Sequence, residues 1–64
     1  MFSILYVAEA NIFRFGLATD TEEKAIQLAK DGQASGVFDI DDQHVFILLP
    51  DHRLVELVGS DLDT

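Results

Sequence analysis

The sequence predicts a small α+β two-layer sandwich, in which an antiparallel sheet of four to five strands carries one helix on one face. Several short apolar runs rich in β-branched and aromatic residues are separated by turn-forming residues. Only one segment spaces its apolar residues as a helix does, with start and stop signals at its ends. Strands joined by short turns pair antiparallel, so we expect a single domain, 1–64, with the order β-β-α-β-β-β.

The first two strands form a predicted hairpin. Residues 2 to 9, Phe-Ser-Ile-Leu-Tyr-Val-Ala-Glu, are rich in strand formers, and residues 12 to 17, Ile-Phe-Arg-Phe-Gly-Leu, predict the returning strand. Ala10 and Asn11 predict the turn, because asparagine tolerates left-handed backbone angles. Gly16 indicates a bulge or a close backbone approach within the second strand.

Residues 20 to 31 predict the helix. Thr19 and Glu22 have the spacing of a capping box, in which two side chains satisfy free amide groups at the helix start. Gly32 is a natural end. A narrow apolar stripe with helical spacing follows the start: Ala25, Ile26, Leu28 and Ala29. Its two alanines should let the helix lie close to the sheet.

The second half of the chain predicts the remaining strands. Residues 37 to 40 begin a third strand, and residues 44 to 49 form a fourth, with turns predicted at 41 to 43 and 50 to 53. Residues 54 to 58 fit a fifth strand or a short helix. Their β-branched content and the tight turn before them favour the strand.

The fourth predicted strand contains five apolar residues in a row, Val-Phe-Ile-Leu-Leu at 45 to 49. Alternate side chains of a strand point to opposite faces, so this strand is apolar on both, whereas one helix covers only one face. A chain this short has a marginal core, and it has no cysteine for disulfides or thiolate metal sites. We therefore predict that the helix-free face binds a second copy of the chain or another protein, through Phe46 and Leu48.

The charge balance narrows the choice of partner. Twelve Asp and Glu stand against four Lys and Arg, for a formal net charge of −8. This argues against direct nucleic-acid or membrane binding, which requires clustered cations, and it favours a basic protein partner. Six acidic residues are further candidates for partner binding: Asp20, Glu22, Glu23, Asp39, Asp41 and Asp42. The alternative is that acidity only keeps a small apolar protein in solution. Residues 59 to 64 predict a frayed acidic tail.

The sequence predicts no catalytic, cofactor or metal site. Asp39, Asp41 and Asp42 with His44 resemble the alternating oxygen ligands of a calcium loop, but the glycine and later bidentate glutamate of an EF-hand are absent. A solvated turn explains this cluster without a metal, and we favour that interpretation. Neither His44 nor His52 has a nucleophile beside it in the sequence, and no serine has the setting of a nucleophile elbow. We therefore expect a protein that is not an enzyme.

Arg14 stands between two phenylalanines and projects from the opposite face of the strand. One interpretation is an ion pair with Glu9 across the first hairpin, or with a carboxylate of a second copy. The other is an anchor for a specific partner, since the planar fork of arginine binds carboxylates through two hydrogen bonds. The sequence leaves both open.

These observations together predict a non-enzymatic protein-interaction module. Its narrower form is a small acidic inhibitor or adaptor that docks on a basic, nucleic-acid-handling protein by imitating phosphate charge, as small acidic proteins of phages and mobile elements often do. The alternative is a small-molecule-sensing or regulatory subunit acting as a homodimer, with its ligand between sheet and helix or at the dimer seam. The chain shows neither a signal segment nor an apolar run near the roughly 20 residues of a membrane span, so we expect a cytoplasmic protein.

Overall fold

The computed structural model describes residues 1–62 and confirms the predicted α+β fold, a four-stranded antiparallel sheet with one long helix on one face. Its elements are β1 (Phe2–Ala8), β2 (Asn11–Thr19), α1 (Glu22–Ala34), β3 (Val45–Leu48), β4 (Leu54–Glu56) and α2 (Gly59–Leu62). The strand order across the sheet is β2-β1-β3-β4, and every neighbouring pair is antiparallel. The short, apolar central strands β1 and β3 therefore have a neighbour on each side.

The turn between β1 and β2 lies one residue earlier than predicted. Glu9 and Ala10, rather than Ala10 and Asn11, are its central residues, with φ of 53° and 66°. Two left-handed residues in a two-residue turn match the right-handed twist of the strands that they join. Asn11 begins β2, and its side-chain Nδ2 donates a hydrogen bond to the carbonyl oxygen of Glu9 at 3.2 Å.

Gly16 lies at a bulge in β2, as predicted. Phe2 pairs with Thr19 and Ile4 pairs with Phe15, so the register shifts between these two pairs. Gly16 has φ +72°, and a Cβ atom there would lie 3.0 Å from the side chain of Leu28 on α1. The glycine therefore serves both the left-handed backbone and the close approach of the helix.

The helix begins two residues later than predicted, because β2 continues to Thr19. Thr21 is the N-cap, and its side-chain oxygen accepts a hydrogen bond from the backbone N–H of Lys24 at 3.2 Å. Thr19 instead donates its hydroxyl to the carbonyl oxygen of Thr21 at 2.9 Å. The capping box predicted for Thr19 and Glu22 is thus wrong, although Glu22 still lies in the first turn, where the helix dipole favours a carboxylate.

The helix also continues through Gly32, which was predicted to end it, and stops at Ala34. Gly32 is buried, and a Cβ atom built on it would lie 2.5 Å from the ring of Phe38. The absence of a side chain lets that ring pack directly on the helix. The chain turns away at Gly36, whose φ is +79°.

The core lies between α1 and the sheet. Its buried residues are Ile4, Ala25, Ala29, Phe38, Ile40, Val45, Ile47 and Leu57. Ala25 and Ala29 are fully buried and Ile26 and Leu28 pack against them, so the predicted apolar stripe is the packed face of the helix. Small residues at the centre of that stripe bring the helix close to the sheet.

Residues 37 to 40 form an anchored loop, so the predicted third strand is wrong and the element order has one strand fewer, β-β-α-β-β before α2. The ring of Phe38 contacts those of Tyr6 and Phe15, with centroids 5.3 and 5.6 Å apart. The carbonyl oxygen of Asp39 accepts hydrogen bonds from the N–H groups of Asp42 and Gln43. A turn fixed by these bonds buries two apolar side chains without any strand pairing.

The end of the described chain is more ordered than a frayed tail. Residues 54 to 56 form β4, as favoured over a helix, and Gly59–Leu62 forms the short helix α2. The carboxylate of Asp61 accepts a hydrogen bond from the N–H of Val58 at 2.8 Å, and Leu62 packs against the core. Residues 63 and 64, the end of the predicted tail, lie outside the described residues.

Candidate protein-docking surface

One face of the sheet carries neither helix of residues 1–62, since α1 contacts β1 and β2 on the core side and α2 contacts α1. Side chains alternate along a strand, so this face consists of the residues between the core positions. We call it the outer face. Its residues are Ser3, Leu5 and Val7 on β1, Ile12 and Arg14 on β2, His44, Phe46 and Leu48 on or beside β3, and Leu54 and Glu56 on β4.

The centre of the outer face is apolar. Leu5, Val7, Phe46 and Leu48 are half-buried by their neighbours in the sheet, and Ile12 and Leu54 at its edges are 64% and 51% exposed. These side chains are contiguous across neighbouring strands. Leu5 pairs with Phe46, and Leu48 pairs with Ser3 on one side and with Leu54 on the other. The two residues predicted for partner binding, Phe46 and Leu48, thus lie together on the outer face.

The middle row of the outer face has a charge at each end. Strand pairing orders it as Arg14, Leu5, Phe46 and Glu56. Adjacent strands are about 4.8 Å apart, so the two charged residues are separated by three strand spacings, roughly 14 Å. Within residues 1–62 no carboxylate forms an ion pair with Arg14, and the pair predicted with Glu9 is therefore not formed there.

Glu56, at the other end of that row, is held by His44. The Nδ1 atom of His44 lies 2.5 Å from a carboxylate oxygen of Glu56, and the imidazole stacks on the ring of Phe46 with centroids 6.2 Å apart. The sequence did not indicate this pair, because residues twelve positions apart become neighbours only through the β3–β4 register. The pair fixes the position of the one acidic side chain on the outer face.

The six acidic candidates do not gather on the outer face. Asp20, Glu22 and Glu23 lie at the start of α1, just after Thr19, which pairs with Phe2 at one end of β1. Asp20 also forms a 3.9 Å ion pair with Lys24. This group therefore belongs to the end of the sheet at which β1 begins.

The other three acidic candidates lie at the opposite end. They belong to the loop before β3, where the side chain of Gln43 donates to the carbonyl oxygen of Val7 at 2.9 Å. Phe2 and Val7 are five residues apart on β1, so at about 3.4 Å per residue the two acidic groups are roughly 17 Å apart. Asp39 is partly engaged, because its Oδ1 accepts a hydrogen bond from the N–H of Asp41 at 3.0 Å.

An open groove of about 800 Å³ lies between α1 and α2. It is lined by Thr21, Glu22, Glu23, Ile26, Gln27, Lys30, Ser60 and Asp61. The space between sheet and helix, where a ligand was expected on the small-molecule interpretation, is filled, since Ile4, Ala25 and Val45 are fully buried there. Ser60 and Asp61 of α2 line one side of the groove, a position not predicted because the tail was expected to fray.

Residues 1–62 contain no group of three or more His, Asp or Glu side chains placed to hold a metal ion.

In the predicted turn at 50 to 53, Asp51 accepts hydrogen bonds from Arg53, at 3.3 Å from the backbone nitrogen and 2.6 Å from Nε. Desolvation raises the pKa of Asp51, but these bonds and the guanidinium charge outweigh it and hold the pKa below its usual value. Neither helix of residues 1–62 is both long and apolar enough to cross a bilayer.

Comparison with known proteins adds no family to this description. No protein-family model matches the chain, and no curated protein or solved structure is significantly similar to it.

Proposed function

We propose that the protein is a non-enzymatic interaction module that docks on a protein partner through its outer face. The observation that carries the proposal is the contiguous apolar centre of that face, formed by Leu5, Val7, Phe46 and Leu48 and covered by neither helix of residues 1–62. Burial of apolar surface is the main driving force of protein association, at about 25 cal/mol per Å².

The two central strands support this proposal. An antiparallel sheet with one wet face alternates apolar and polar residues, because outward positions gain nothing from being apolar in water. In β3 the outward Phe46 and Leu48 are as apolar as the inward Val45 and Ile47. Such a strand is suited to contact on both faces, and α1 supplies contact on one only.

The distribution of charge favours the outer face over the acidic groups as the docking surface. The outer face carries one arginine and one glutamate, so it contributes nothing to the net charge of −8 with its histidine neutral. The acidic candidates lie instead in two groups at opposite ends of the sheet. An acidic inhibitor or adaptor of a basic, nucleic-acid-handling protein is the narrower form of the proposal, and it needs a partner that spans both groups.

A pair of lysine substitutions tests the docking role. Leu48→Lys places a charge in the apolar centre, whereas the control Val37→Lys places the same charge at an apolar residue that is 41% exposed in the loop after α1. Each protein is immobilised, and its capture of labelled wild-type chain and of proteins from a cell extract is measured. Circular dichroism and thermal melting confirm that both variants remain folded.

We expect wild type and Val37→Lys to capture the same proteins, and Leu48→Lys to capture about tenfold less, because its lysine must be desolvated on docking. Equal capture by all three proteins, or no capture by wild type, would contradict the proposal. For the inhibitor form, capture of a basic protein should also weaken steeply as salt is raised.

A further inference from the structure

We infer that the occupant of the outer face is a second copy of this chain, in a two-fold dimer in which Arg14 of each copy pairs with Glu56 of the other. The inference rests on the proposed function, since it takes the outer face to be the docking surface and adds the identity of the partner and its orientation. It starts from the order of the middle row, Arg14, Leu5, Phe46 and Glu56.

This row is complementary to itself. A two-fold axis that lies between two facing sheets and runs parallel to the strands reverses the order of the row in the second copy. Arg14 then faces Glu56, Leu5 faces Phe46, and each contact occurs twice, as in any isologous interface. One surface patch thereby supplies both an apolar centre and two ion pairs at its edges.

The other way of stacking the same faces is unfavourable. A two-fold axis parallel to the row keeps its order, so Arg14 faces Arg14 and Glu56 faces Glu56. Like charges set opposite each other repel and suppress this arrangement. The two charged residues therefore select the axis parallel to the strands. In the resulting arrangement β2 faces β4 and β1 faces β3 of the other copy, and the facing strands run antiparallel.

Distances favour pairing between copies over pairing within one. Facing sheets lie about 10 Å apart, a gap that an extended arginine and glutamate span together. Within one chain the same residues are roughly 14 Å apart, and no carboxylate of residues 1–62 pairs with Arg14. The second copy supplies the carboxylate, which His44 already holds at 2.5 Å.

The dimer leaves most of the negative charge in water. Both α1 helices lie on the outside of a helix–sheet–sheet–helix assembly, so the acidic groups at the ends of each sheet stay away from the seam. The four-stranded face is only about 19 Å wide, and β3 and β4 are four and three residues long, so the total buried area falls below the roughly 1,200 Å² at which stable interfaces begin. We therefore expect a weak dimer, with a dissociation constant on the order of tens of micromolar.

Reversing the two charges tests the arrangement. The variants are Arg14→Glu, Glu56→Arg and the double variant with both changes, and the dimer dissociation constant of each is measured by sedimentation equilibrium. An equimolar mixture of the two single variants is measured alongside. Thermal melting of each variant at low concentration checks that the monomer is folded, because Glu56→Arg also removes the partner of His44.

We expect each single change to weaken the dimer about tenfold, since it sets like charges opposite each other at both edges. The double variant should recover wild-type affinity within about threefold, and the mixture should form a heterodimer of the same strength. If the double variant dimerises no better than the single variants, the proposed axis is wrong.

The outcome also separates this inference from the proposed function. A wild-type chain that stays monomeric at 1 mM (a concentration at least about ten times the expected constant) overturns the dimer. In that case the docking role itself still stands if Leu48→Lys loses the capture of another protein that Val37→Lys retains. If the wild-type chain dimerises and none of Leu48→Lys, Arg14→Glu and Glu56→Arg weakens the dimer, the dimer forms through another surface. That result overturns both the proposed dimer and the docking role of the outer face.

Discussion

Single residues set how closely the helix approaches the sheet. Ala25 and Ala29 were predicted for this role from their helical spacing, and both are fully buried. Gly32 was taken for a helix end because glycine is common there, whereas it is a packing site for the ring of Phe38. Sequence alone did not show this, because the contact depends on how residues 35 to 38 fold back on the helix.

We predict that Gly32→Ala destabilises the protein by up to about 2 kcal/mol. Alanine in a helix is favoured over glycine by about 1 kcal/mol, but a Cβ atom 2.5 Å from the ring of Phe38 overpacks the core, at about 1–3 kcal/mol. Urea unfolding measures the change. The loss of unfolding free energy caused by Phe38→Leu should be smaller in the Gly32→Ala variant than in the wild-type chain. A Gly32→Ala variant that is more stable than the wild-type chain would contradict the packing role of Gly32.

The elements divide into those with local signals and those without. The first hairpin, the helix and the β3–β4 pair were predicted because turn residues and periodicity lie within each segment. The predicted strand at 37 to 40 failed because Phe38 and Ile40 alternate as in a strand but are buried by distant residues such as Tyr6. The short helix α2 was missed because its order depends on Leu62 packing against the core.

The assignment of the two faces of β3 can be tested by one substitution on each face. Ile47 is 3% exposed and faces α1, whereas its neighbour Leu48 lies on the outer face. We predict that Ile47→Lys prevents folding, because it buries an unpaired charge, while Leu48→Lys leaves a folded chain that dimerises about tenfold more weakly. Far-UV circular dichroism and sedimentation measure both. Unfolding of Leu48→Lys with retention of structure in Ile47→Lys would show that the faces are assigned the wrong way round.

At the scale of the whole molecule, the sequence indicated that β3 is apolar on both of its faces, whereas one helix covers only one face of the sheet. Phe46 and Leu48 do lie on the face without the helix. The row that joins Arg14 to Glu56 was beyond prediction, because it requires the register of three strand pairs at once. The six acidic candidates lie at two opposite ends of the sheet, whereas Glu56 lies on the outer face. We therefore expect docking to depend on the sheet rather than on the net charge.

Methyl NMR of the wild-type chain over a dilution series tests the central claim most directly. On concentration from about 10 μM to 1 mM, we predict that the methyl signals of Leu5, Val7 and Leu48 shift and saturate together, because the second copy covers them. The methyl signals of Ala25 and Ala29, buried under α1, should stay constant. Shifts confined to residues of the α1–α2 groove, or no concentration dependence at all, would contradict a dimer formed through the outer face.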